Sequence, residues 1–182
     1  MVLSLCFITP SQADDIRDFQ IEGVSIGDSL KDYMTIKDIN MNLAKYYKDN
    51  EMSTALMVLK KSNEYENLNL SFKTSDKNYQ ILHISGFQSN KFKECIKKAE
   101  KINLEFKQFF KNVNAQILKN EKHPVDVSGK SIMQTYRFTF QNGDIAAVQC
   151  YNFSNEVNYP SGLKIQLMKK EFLNWLANKA YK

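Results

Sequence analysis

"YRFTFQNGDIAAVQC", residues 136–150, decides how the chain is laid out. Tyr136, Phe138 and Phe140 alternate with Arg137 and Thr139, the two-residue period of a strand with one buried face. Asn142-Gly143 then supplies residues that tolerate positive φ and close hairpins. Two registers are open. A two-residue loop places Ile145 and Ala147 beside the aromatics and turns Cys150 to the other face. A three-residue loop with Gly143 in a bulge places Ala146, Val148 and Cys150 beside them.

The segment that could cover this hairpin is 91–111, "KFKECIKKAEKINLEFKQFFK". Phe92, Cys95, Ile96, Ala99, Ile102, Phe106, Phe109 and Phe110 recur at steps of three and four, with Lys and Glu on the opposite side. That spacing predicts an amphipathic helix packed on a sheet, capped by Asn90 or Ser89. With the helix on the aromatic face, the bulged register brings Cys150 toward Cys95. Helix position, a positive φ at Gly143 and a Cys95–Cys150 disulfide are therefore one coupled expectation. The alternative is two separate buried thiols.

Outward from this centre, 54–60, 68–74, 78–87 and 163–168 read as strands. Residues 169–181 read as a terminal helix with Phe172, Trp175 and Leu176 inward. A helix running from Leu30 into the forties, broken near Thr35, precedes them. The polar stretch 119–131, "KNEKHPVDVSGKS", reads as a loop. The order predicts an α+β single domain, a mostly antiparallel sheet with helices packed on one face. The 182 residues carry 43% hydrophobic and 12% aromatic side chains, enough for one sizeable core.

The first 13 residues, "MVLSLCFITPSQA", differ in kind. They are uncharged and apolar through Ile8, and end in Ser11-Gln12-Ala13, a small-residue cleavage pattern. They read as the end of a signal peptide, followed by one domain over 14–182, which places the chain in the periplasm or outside the cell. In such a compartment Cys95 and Cys150 are a natural pair. Cys6 leaves with the leader. No later apolar run approaches membrane-spanning length.

Net charge is +5, yet of 25 basic residues only Arg17 and Arg137 are arginine. Nucleic-acid readers usually use Arg forks, so no nucleic-acid partner is expected. The interleaved Lys and Glu of 91–105 read as a solvated face.

Gly27-Asp28-Ser29-Leu30 is the candidate catalytic motif. It resembles the first block of GDSL/SGNH esterases, which implies Ser29 as nucleophile. That family also needs an Asp three residues before a C-terminal His, and an oxyanion-hole Asn block. His83 and His123 are preceded at that spacing by Gln80 and Asn120, so the resemblance is read as accidental. Ser29 is instead expected to cap a helix, with Asp32 three residues on. "SGKS" (128–131) lacks the first glycine of a phosphate loop, since Pro124 stands there. His123 and Asp126 are too few for a metal site, so neither metal nor cofactor is expected. His123, Asp126 and Lys130 remain as a candidate binding loop.

Several longer stretches, "DFQIEGVSIGDSLKDYM", "CIKKAE", "HPVDVSGKS" and "CYNFS", together resemble an uncharacterised family of small secreted proteins from AT-rich marine bacteria. The resemblance implies a periplasmic location and brings no activity with it. The expectation on function is a non-enzymatic module that binds a protein, peptide or envelope component. A Ser29-dependent esterase is the alternative.

Overall fold

The computed structural model describes residues 15–182 apart from 60, 61, 63, 66, 111 and 125. The signal-peptide reading of 1–13 lies outside the described residues.

Two antiparallel meanders form the body. The first contains β3 (Leu43–Ala44), β4 (Met52–Val58), β5 (Asn67–Lys73) and β6 (His83–Ser89). The second contains β7 (Asn114–Lys122), β8 (Ile132–Thr139), β9 (Ile145–Asn152) and β10 (Gly162–Met168). Their last strands pair with each other, giving one eight-stranded sheet in the order β3-β4-β5-β6-β10-β9-β8-β7. Because β6 and β10 meet in the middle, the chain must cross from the centre to the far edge. The helix α2 (Phe92–Phe109) makes that crossing. A small hairpin, β1 (Gln20–Ile21) and β2 (Val24–Ser25), precedes the sheet and turns at Glu22-Gly23, both at positive φ.

α2 lies on one face with Cys95, Ala99, Ile102 and Phe106 buried. Phe106 and Phe110 pack on Phe138 at centroid distances of 5.4 and 5.3 Å, and Phe110 meets Phe140 at 5.0 Å. The hairpin takes the bulged register. Phe138 pairs with Ala146 and Tyr136 with Val148, while Gly143 has φ +86°. Cys150 therefore faces α2 and is joined to Cys95, with Cα atoms 5.7 Å apart. All three coupled expectations hold together.

The α+β class, the antiparallel sheet and the single domain are as the sequence predicts. The one-face arrangement describes α2, whereas α3 (Lys170–Asn178) goes to the other side. Its Phe172 stacks on the ring of His83, centroids 4.8 Å apart, and His83 alternates with the Ile84 of the α2 face. Phe172 and Trp175 build a second small core there with Met52, Ile145 and Met168. The physical reason lies at the start of the helix. Lys169 offers no side-chain cap, but Asp144 in the hairpin turn accepts from the Lys170 N–H at 2.8 Å and pairs with Lys169 at 2.7 Å. The turn thus seats α3 beside β9, on the side where Ile145 and Met168 are exposed to it.

Smaller departures have similar local causes. The helix expected from Leu30 is a 3-10 turn at Leu30–Asp32 and a separate α1 at Ile36–Met41, capped by Thr35. At α2 the N-cap is Lys91 with no side-chain bond, not Asn90 or Ser89. Asn90 instead donates to the Gln88 backbone and side chain. The polar loop starting at 119 begins only at 123, since β7 runs on to Lys122.

Candidate functional site

Ser29 sits where a cap should. Its Oγ accepts from the Lys31 N–H at 3.3 Å and donates to the Asn78 carbonyl at 2.7 Å. Ser29 lines a cleft of about 400 Å³ together with Lys73, Asp76, Asn78 and Glu171. Asp76 accepts from the Asn78 and Gln80 backbone, and Glu171 pairs with Lys73. His83, the nearer histidine in sequence, is hydrogen-bonded through Nδ1 to the Ser71 hydroxyl at 3.0 Å.

The candidate binding loop divides into three roles. Asp126 is buried and accepts from the backbone and hydroxyl of both Ser128 and Ser131, and from the Ser154 hydroxyl. These donors, the two serine hydroxyls foremost, hold its carboxyl well below the usual carboxylate range. Asp126 is the staple that shapes the loop. Lys130 forms an ion pair with Glu156. His123 leaves them and packs on Phe153 and Tyr151, at 4.8 and 5.4 Å, where Tyr151 and Phe153 are themselves stacked. Among the described residues no group of three or more His, Cys, Asp or Glu could hold a metal ion.

The most distinctive chemistry lies on the sheet face opposite α2, beyond the reach of α3. The register sets its residues in rows across the strands. One row runs Asn69, Ser85, Gln166, Ala147, Arg137, Gln116. The next runs Phe87, Lys164, Gln149, Thr135. The polar members are fixed to one another. Gln166 donates to Gln149 Oε1 at 2.9 Å, Tyr151 donates to the same oxygen at 2.6 Å, and Gln149 donates to Thr135 at 3.3 Å. Gly162 has a spatial task here. A Cβ on it would run first into the Gln88 backbone carbonyl and then, at 2.7 Å, into the Phe87 ring, so the missing side chain lets β6 and that ring lie close over β10.

Two cations stand in these rows. Lys164 is half-buried, and desolvation lowers its pKa to about 8. Its charge reaches both histidines. His83 is pushed down to about 3, by burial first and Lys164 second, with Gln166 acting the other way. His123 is lowered by burial and then by Lys164, with Asp126 opposing. Arg137, half-buried in the neighbouring row, has a buried Nε without a hydrogen-bond partner, as has His83 Nε2. Among the described residues, the ion pairs involve Arg17, Lys73, Lys130, Lys169 and Lys179, and neither Lys164 nor Arg137.

Sequence reasoning passed over Lys164, Arg137, Gln149 and Gln166. A usable signal existed: "RFT", "AVQCY" and "LKIQLM" each place polar residues at the alternate positions of an otherwise apolar strand. An exposed sheet face gives the same pattern, and only the register shows that these positions are neighbours. The chain matches no family model, no curated protein and no solved structure. No helix among the described residues is long and apolar enough to cross a membrane.

Proposed function

We propose that this chain is a non-enzymatic binding module of the periplasm, or a secreted one. In this reading it takes up a protein, peptide or envelope component on the polar face of its sheet. The observation that carries the reading is the interlocked Gln166–Gln149–Thr135 row. These side chains are largely covered and form a fixed floor beneath the more exposed Phe87, Tyr151 and Lys164, and groups held on such a floor lose little freedom when they meet a ligand. The Cys95–Cys150 bond supports export, because disulfides persist in oxidising compartments.

The Ser29-dependent esterase is the second reading, favoured by the position of Ser29 in the 400 Å³ cleft. Against it stands the Oγ hydroxyl proton, given to a backbone carbonyl and not to a base.

The test maps amide shifts of labelled protein during titration with peptidoglycan fragments, phospholipid vesicles and peptides, beside an ester panel. Shifts clustered on β8, β9 and β10 support the binding module. Ester turnover abolished by Ser29→Ala, with no clustered shifts, overturns it in favour of the hydrolase. Intact-mass analysis of exported protein should show a start at Asp14, and a retained Met1 on cytoplasmic protein would overturn the location.

A further inference from the structure

We propose that Lys164 and Arg137 form an oxyanion site on the polar sheet face. Its ligand is a small carboxylate- or phosphate-bearing molecule whose flat apolar part lies against Phe87 and Tyr151. The inference rests on the binding-module reading and adds the chemistry of the ligand.

Placement comes first. Arg137 pairs across β9 with Ala147, and Lys164 pairs across β9 with Gln149. Both cations therefore project from the same face, two strands and one two-residue step apart. Ladder spacings put their Cα atoms about 12 Å apart. Two long side chains over that span can meet the same anion or the two ends of a small one. Ala147 stands between Gln166 and Arg137 in the row and is itself covered, so the two cations meet above a closed floor.

Charge comes second. The ion pairs of the described residues lie elsewhere, so the two cations share a face without a carboxylate bound to either. A partly desolvated cation without a counter-charge raises the free energy of the fold. An anion arriving from solution removes that penalty, and the same low-dielectric setting strengthens its attraction. The lowered pKa of Lys164 has this same origin in desolvation.

Orphaned donors come third. Arg137 Nε is buried and unpartnered, although a guanidinium offers five donors in a plane that matches an oxyanion. His83 is 5% exposed, and its Nε2 is likewise without a partner. The ring lies under α3 at the inner end of the rows, next to Gln166. The rest of the bed is satisfied internally, so the unused donors belong to the two cations. Aromatic contact is available alongside them, from Phe87 beside Lys164 and from the stacked Tyr151–Phe153 pair next to His123.

The test uses the full chain and three probes: inorganic phosphate, phenyl phosphate and benzoate. Binding is followed by nuclear magnetic resonance shifts of the Gln149 and Gln166 side-chain amides and of Arg137 Nε–H. Saturable shifts at these groups are expected, with phenyl phosphate binding about tenfold tighter than inorganic phosphate. Phosphate and carboxylate sources are separated by comparing phenyl phosphate with benzoate. Arg137→Met with Lys164→Met should weaken binding of the preferred probe at least tenfold. Gln116→Glu is the second variant, since Gln116 is exposed on the edge strand directly opposite Arg137. It supplies a built-in carboxylate and should weaken the probe severalfold with the fold untouched. Absence of saturable shifts with all three probes overturns the oxyanion site, as does binding that survives the double substitution. If a neutral envelope fragment shifts the same amides while no anion does, the oxyanion site fails and the binding module stands. If nothing shifts them, both fail.

Discussion

On the α2 face, alternate residues of the central strands are Leu68, Leu70, Ile84, Ile165, Leu167, Val148 and Phe138, all buried. On the opposite face the residues between them are Asn69, Ser71, His83, Ser85, Lys164, Gln166, Gln149 and Arg137. The backbone ladder is common to both faces, so the difference comes from what each face meets. The first meets a helix, is cross-linked to it, and is mostly apolar, with Gln134 bonded to the Tyr136 hydroxyl and Asn103 of α2 as its buried polar groups. The second meets a short helix at one end only and is otherwise lined with hydrogen-bonding side chains. A glycine seats a ring on each side: Tyr65 lies against Gly86 on the α2 face, and Phe87 lies over Gly162 on the other. The main apolar core lies on one side of the sheet, and the face proposed for recognition is the other.

The division is broken most severely on the closed side. Phe138→Ala removes a buried ring that touches both Phe106 and Phe110. A loss of roughly 3–5 kcal/mol is expected in urea unfolding, with the probe affinity of the folded fraction unchanged. A loss below 1 kcal/mol would show that the α2 face is not the main core.

The disulfide is next. Replacing Cys95 and Cys150 with Ala opens a sequence separation of 55 residues. The chain-entropy relation gives about 4 kcal/mol as its contribution. The double variant and the reduced wild type should lose similar stability. A wild-type midpoint indifferent to reductant would contradict the cross-link.

On the opposite side, His83 under α3 makes the stability depend on pH. Its folded pKa, about 3, lies below the ordinary histidine value of 6.5. The unfolded chain therefore binds the proton first as pH falls. The stability is fully present above pH 6.5 and drains away between that value and about 3. The slope approaches at most about 1.4 kcal/mol per pH unit, for one proton. His83→Gln should flatten this part of the profile, measured by urea midpoints from pH 7 to 4. An unchanged slope would show that other groups carry the acid sensitivity.

The smallest loss is expected at Ser29. Ser29→Ala removes the cap of a single 3-10 turn and should cost about 1 kcal/mol. A variant as stable as the wild type would remove the capping role and reopen the question of what the hydroxyl does.

The closed side was largely legible in the sequence, because its signals are strong and local. The apolar stripe from Phe92 to Phe110 marked the helix, and the Asn142-Gly143 turn reduced the hairpin to two registers, of which only the bulged one brings Cys150 to Cys95; the register itself was settled in three dimensions. The polar side was not. Lys164 and Gln149 face each other only through the β10–β9 register, which no local pattern states. β7 escaped for another reason. It is an edge strand with most of its residues exposed, so "NAQILKNEK" shows no buried alternation to read. The place of α3 depended on Asp144, a turn residue whose second task at the Lys170 N–H appears only in three dimensions.

The most direct test of the division is the equilibrium urea midpoint of Arg137→Met/Lys164→Met, measured without ligand at pH 7. If these cations serve recognition, their removal relieves desolvation, and the midpoint should equal or exceed that of the wild type. A loss of more than about 1 kcal/mol would mean that Lys164 and Arg137 hold the fold together, and would contradict the assignment of recognition to this face.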